Sequence, residues 1–197
     1  AVSVVFAVPA VREQVFRLAG GVVGDPDPVQ IPPQVDDARR AARRMDPEEM
    51  GRAEAVLQAE IDEGSHTGPA LAAMQLAQVD LLSRRSIAAS MEASLDRGDG
   101  EEPSAQDSQE AQRARDFARR ASSIFADVDP ANVPDRTELR LVRASLRLAE
   151  GRAPGEIIPL LPETGADELR LVIEGAPLWR DPQADVPADL LERLAAL

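Results

Sequence analysis

Glu138-Leu139-Arg140-Leu141-Val142 returns unchanged as Glu168-Leu169-Arg170-Leu171-Val172, thirty residues further along the chain. A self-repeat at this spacing marks an architecture of helical pairs, because one such pair cannot bury its apolar face alone and must stack on a neighbour. Beyond the first copy, Leu139, Val142, Leu146 and Ala149 keep the three- and four-residue spacing of one helical face. The pattern predicts a helix over residues 136–150, paired with a short helix after Pro154. The second copy predicts a helix over 167–180, paired with 187–197 across the turn signals Asp181-Pro182 and Pro187.

Two further pairs are legible upstream. Asp46-Pro47-Glu48-Glu49 reads as an N-cap, a proline at the first helical position and acids in the first turn. It opens a helix to about Glu63 with Met50, Ala53, Leu57 and Ile61 on one face, ended by Gly64 and preceded by a short helix over 36–44. From Ala70 to Leu95 no glycine or proline interrupts the chain. Leu71, Met74, Ala77, Leu81, Ile87, Met91 and Leu95 give that long helix its face, with Ser83-Arg84-Arg85-Ser86 as the one place for a break. After the acidic, glycine- and proline-bearing loop 98–107, residues 108–128 should fold back on it through Ala114, Phe117, Ala121, Ile124 and Phe125. Residues 129–135 (DPANVPD) stop that helix. The expected fold is all-α: a right-handed solenoid of stacked antiparallel helical hairpins, the second elongated, over residues 35–197.

Ahead of it lie two stretches of different character. Residues 1–11 (AVSVVFAVPAV) are uncharged and apolar, continuing into an amphipathic stretch to about residue 19. Eleven residues are short of the roughly 20 that span a bilayer. Two readings stand: the end of a membrane anchor or signal segment whose beginning precedes Ala1, or a short core helix. Residues 20–34, with three glycines and four prolines in 20–33, form a spacer that cannot carry regular helix. At the other end the chain stops on Leu197 in mid-pattern, without the polar closing face a solenoid needs, so continuation of the stack by further chain or by a partner is expected.

Composition narrows the chemistry. All 22 basic residues are arginine and there is no cysteine or tyrosine, a usage expected of a GC-rich bacterial genome. It excludes a lysine Schiff base, a thiolate nucleophile, cysteine-ligated zinc and disulfides. A net charge of −13 argues against nucleic acid, whose phosphates need a concentrated basic surface. Aromatics are only 3%, so the core must be built from Ala, Leu, Val and Ile.

With these residues in view, the chain is similar to tetratricopeptide repeats. The similarity rests on a unit length near the family's roughly 34 residues and on Ala144, seven positions before the turn residue Gly151. It rests also on Ala121-x3-Phe125 running into Asp129-Pro130, with Ala53-x3-Leu57 as a weaker counterpart. It covers residues 35–197. The resemblance implies binding of a protein or peptide in the groove lined by the first helix of each pair, and it implies neither catalysis nor a cofactor.

The candidate partner-binding residues follow from that groove. Arg136, Arg140, Arg143 and Arg147 form a basic stripe at helical spacing, and Arg170 repeats the position of Arg140. Such a stripe can clamp a carboxylate, an acidic segment or a C-terminus through bidentate contacts. The alternative is a solvated face with local ion pairs to Glu138 and Glu150. Trp179, the sole tryptophan, reads as packing against the last helix or as an anchor for a partner. Arg39, Arg40, Arg43 and Arg44 stand near Glu48, Glu49 and Glu54 and are expected to pair with that next helix. The lone His66 sits in a pre-helix turn without a nucleophile or orienting partner nearby, so it reads as a loop residue. The carboxylates of 96–107 lack the ligand spacing of a calcium loop, and no metal site is expected.

The function expected is a non-catalytic interaction scaffold, tethered to a membrane through residues 1–19, with a cytoplasmic protein as the other localisation. A structural packing subunit of a larger assembly is the alternative. An all-α hydrolase or lyase using paired acids such as Glu60 and Asp62 has no nucleophile or metal cluster to support it.

Overall fold

A computed structural model describes residues 30–95 and 105–180, together with Leu190. Residues 1–29 and the expected last helix, Leu190 apart, lie outside the described residues. The chain divides after Gln30 into two units, of which the second is Ile31–Leu197.

Pro33 occupies the first turn of α1 (Pro33–Arg44), where its missing N–H is not needed, so the helix starts three residues before the predicted Asp36. Met45 closes it at φ 53°, a left-handed conformation uncommon for a side-chain-bearing residue. Asp46 then accepts hydrogen bonds from the backbone N–H groups of Glu48 and Glu49 at 2.9 and 2.8 Å, capping α2 (Pro47–Asp62) as the sequence predicts. Gly64 follows at φ +66°. α3 (Gly68–Leu95) runs through Ser83-Arg84-Arg85-Ser86 without interruption. The Ser83 hydroxyl donates back to the carbonyl of Val79 at 2.7 Å, so this buried polar group is satisfied within the helix. α4 (Ala105–Asp127) comes next, and then α5 (Arg136–Ala149), which Asp135 caps by accepting from the Thr137 N–H at 2.7 Å. Gly151 leaves α5 at φ +83°. The short α6 (Pro154–Ile157) passes into a 3-10 turn, Ile158–Leu160, and α7 (Asp167–Arg180) has the predicted bounds.

The protein is all-α, with no strand among the described residues. α1 packs on α2 and α3, and α2 also packs on α3. α3 packs on α4, α5 and α7, while α5 also packs on α4, α6 and α7. The odd-numbered helices therefore touch in succession and the others lie against them.

α3 is the centre of the core. Met74, Ala77 and Leu81 join Val35, Met50 and Leu57 in one cluster. Leu76, Val79 and Leu82, on another face of the same helix, join Ala121, Val142 and Leu146. Further along, Ile87 meets Leu148, Ile157, Leu169 and Ile173. A helix clothed on several faces is apolar around its circumference, so beyond the expected face through Met74, Ala77 and Leu81 it also buries Ala72, Leu76, Val79 and Leu82. Each of its fully buried Leu or Val side chains contributes about 1.5–3 kcal/mol by leaving water.

Candidate functional site

The local order of residues on α5 decides what faces what. Thr137, Glu138, Leu141 and Val142 look toward α1, α3 and the start of α7, and between these four helices lies a groove of about 810 Å³. Its carboxylates are Asp36, Asp80, Asp135, Glu138 and Glu168; its guanidinium groups are Arg39, Arg43 and Arg84.

Glu138 forms the best-defined pair in the groove. Arg39, on α1, donates from Nε to Glu138 Oε1 at 2.8 Å and from Nη2 to Oε2 at 2.6 Å, a fork-on-fork arrangement. Its Nη1 donates to Asp36 at 2.9 Å. Burial pushes the Glu138 carboxyl above its ordinary value, outweighing the hydrogen bonds and charge of Arg39 that act the other way. For Arg39, burial is again the largest single influence and lowers its affinity for the proton. Glu138 and Asp36 together reverse it, so the guanidinium is held charged more firmly than usual. In the same groove, Arg84 on α3 donates to Asp80 at 3.2 and 3.1 Å and lies 3.8 Å from Glu168.

The two glutamates that start the repeated pentapeptides thus both reach the groove, and each meets an arginine from an earlier odd-numbered helix. The helical spacing of the sequence points instead to the arginines of those pentapeptides, Arg140 and Arg170. Arg140 turns away from the groove, donating from Nε to the Leu160 carbonyl at 3.1 Å and from Nη2 to the Leu161 carbonyl at 3.0 Å. It satisfies the carbonyl end of the 3-10 turn, where a helix leaves orphan acceptors. Arg143 and Arg147 meet Arg152, Glu156, Ile157 and Leu160 around a separate cavity of about 310 Å³. Arg147 also donates to Glu150 at 3.0 Å, the local pair anticipated for a solvated face. Arg136 is exposed at the start of α5, and Arg170 is half-buried on α7; neither lines either cavity. Trp179 lies in the last turn of α7, with its side chain outside the described part of the chain. The structure therefore brings Arg143 and Arg147 together, sets Arg140 beside them as a cap, and leaves Arg136 and Arg170 apart. The signal that could have found Glu138 and Glu168 was their own recurrence at the head of the repeat.

Other expectations resolve locally. Of the α1 arginines, Arg44 pairs with Glu49 at 3.3 Å on the next helix, whereas Arg40 pairs with Asp37 at 3.0 Å on its own. Glu54, buried on α2, takes Arg85 of α3 and Arg120 of α4 instead, the latter at 2.8 Å. Arg85 also lies over the Phe117 ring, 4.2 Å from its centroid. His66, expected to lack a partner, has one because the turn after α2 folds back on that helix: its Nε2 is 2.7 Å from Glu60 Oε1, and Gln34 donates to the other oxygen of Glu60 at 3.2 Å, which ties the loop before α3 to α1 and α2. Among the described residues no group of three or more histidine, cysteine or acidic side chains is placed to hold a metal ion. Among them, too, no helix is long and apolar enough to cross a membrane; the apolar stretch 1–11 lies outside that search. No family model, curated protein or solved structure matches the chain.

Proposed function

We propose that this protein is a non-catalytic interaction scaffold, a right-handed stack of antiparallel helical pairs of the tetratricopeptide kind that holds a partner's segment in a groove. The observation carrying the proposal is the 810 Å³ groove, lined by α1, α3, α5 and the start of α7, the first helix of each sequence-defined pair. The order of neighbours supports it, since odd-numbered helices touching in succession are what a stacked array requires. Rigid helices around the groove would let a segment dock with little further ordering cost in the scaffold. The apolar start, residues 1–19, is proposed as a membrane attachment on the sequence alone.

A second reading has its own observation. Arg143, Arg147 and Arg152 around the smaller cavity favour an acidic segment there, on the α6 side of α5.

Site-specific photo-crosslinking tests the groove. A crosslinking residue at Thr137, exposed at the groove wall, should capture a partner protein in the native cells that the same residue at Ser123, exposed on α4, does not. Equal capture from both positions, or capture from Ser123 alone, would remove the groove from the account.

A further inference from the structure

We propose that the segment bound in this groove is basic, a partner stretch presenting arginine or lysine side chains. The proposal rests on the groove reading above and deepens it.

The charge inventory carries the argument. Five carboxylates line the groove against three guanidinium groups. Two of those arginines are already shared: Arg39 serves both Asp36 and Glu138, and Arg84 serves Asp80 while approaching Glu168. A carboxylate offers about four acceptor positions and a guanidinium five donors directed in one plane, so one arginine cannot saturate two carboxylates. Glu168 shows the shortfall. It stands 3.8 Å from Arg84, beyond hydrogen-bonding range, with its side chain 46% exposed. Asp135 contributes a further charge and accepts from the backbone N–H of Thr137 at 2.7 Å, a neutral donor.

An incoming arginine or lysine would meet acceptors that the protein's own cations leave incompletely satisfied. An acidic segment would instead bring like charges into a groove where carboxylates outnumber guanidinium groups five to three, an arrangement that disfavours a partner. The upward displacement of the Glu138 carboxyl points the same way, since burial has cost this carboxylate more solvation than Arg39 restores. Arg39 on Glu138 is itself the template for the contact, a planar guanidinium seated bidentately on a groove carboxylate.

The test uses the full chain and three fluorescein-labelled peptides: alternating alanine and arginine, alanine and glutamate, and alanine and glutamine. Binding is read by fluorescence anisotropy at physiological salt. Because a chain of net charge −13 attracts any polycation, two charge-matched variants are compared. Asp36→Arg with Glu168→Arg reverses two exposed groove carboxylates, removes the Asp36 contact of Arg39 and leaves Arg39 and Glu138 themselves in place. Asp62→Arg with Asp127→Arg makes the same change of net charge at the C-terminal ends of α2 and α4, outside the groove and where a cation suits the helix dipole. Circular dichroism and the urea midpoint establish that both variants keep the fold.

The expected result is that the arginine peptide binds wild type at least about tenfold tighter than the other two, loses about tenfold or more with the groove variant, and is unchanged with the control. Equal loss in both variants means diffuse attraction to an acidic surface, and overturns this proposal together with the groove reading. Preference for the glutamate peptide, abolished by the groove variant, overturns the proposal and leaves the groove standing. Absence of binding by all three peptides overturns the proposal.

Discussion

Glu54 joins three helices at a point where burial and charge compete, and its removal should be less damaging than removal of the arginine that faces it. Its side chain is 9% exposed, whereas Arg85 is 24% and Arg120 52% exposed. Breaking a buried ion pair from one side costs about 3–5 kcal/mol, mostly because the surviving charge is left in a dry site. Arg85→Met leaves that dry charge on Glu54, with only the half-exposed Arg120 to balance it, and forfeits the Phe117 ring contact, worth about 0.5–1 kcal/mol. The expected cost is about 3 kcal/mol. Glu54→Gln leaves two guanidinium groups that water still reaches, so solvent screening cuts the loss to about 1 kcal/mol. The double variant should be more stable than Arg85→Met alone by about 1–2 kcal/mol, because the stranded carboxylate is gone. Urea denaturation followed by circular dichroism measures all four proteins, compared through midpoints at a shared slope. If Glu54→Gln costs as much as Arg85→Met, or if the double variant is simply the sum of the two singles, the buried carboxylate is not what decides the energetics here.

Other outcomes follow from single positions. Gly51 lies inside α2, and a Cβ there would meet Arg85 at 3.8 Å, an ordinary contact; Gly51→Ala should raise stability by about 0.5–1 kcal/mol in the same urea assay. Arg140→Ala should cost about 1 kcal/mol by uncapping the Leu160 and Leu161 carbonyls, without weakening peptide binding in the groove; a loss of groove binding with unchanged stability would reinstate Arg140 as a contact residue. Glu138 sets a pH dependence. Its raised native-state value means that the folded protein holds the proton more tightly than the unfolded chain, so its contribution is full below the ordinary 4.5 and is lost as pH rises through the raised value. The stability advantage of wild type over Glu138→Gln should therefore widen as pH falls through that window. Urea midpoints collected across it would show the reverse trend if Arg39 dominated and lowered the carboxyl instead.

Helix ends and turns were readable from the chain because the bonds that make them join near neighbours. Asp46 and Asp135 cap through backbone groups two or three residues on, and Gly64 and Gly151 stop helices by their own φ. Those interactions are written in a few consecutive residues, so the bounds of α2 and α7 were legible, as was the all-α class. α1 began earlier than read because a spacer proline also suits a first helical turn. Burial around α3 depended on neighbours on several sides, which no local stripe records.

The site was legible in one respect and hidden in another. The repeated pentapeptide located the helices that line the groove, but identical residues face different surroundings: Leu139 and Leu141 are half-buried, whereas Leu169 and Leu171 are buried. Which face of α5 turns inward depends on how it crosses α3 and meets α6, not on its own spacing. Arg140 found carbonyls 20 and 21 residues away, and Glu138 found Arg39 at a separation of 99. The amino-acid sequence by itself determined the all-α class, the order of the described helices and several of their ends. Only the tertiary structure decided that the groove presents the glutamates of the repeat, because the orientation of a charged side chain is set by partners that folding alone brings within reach.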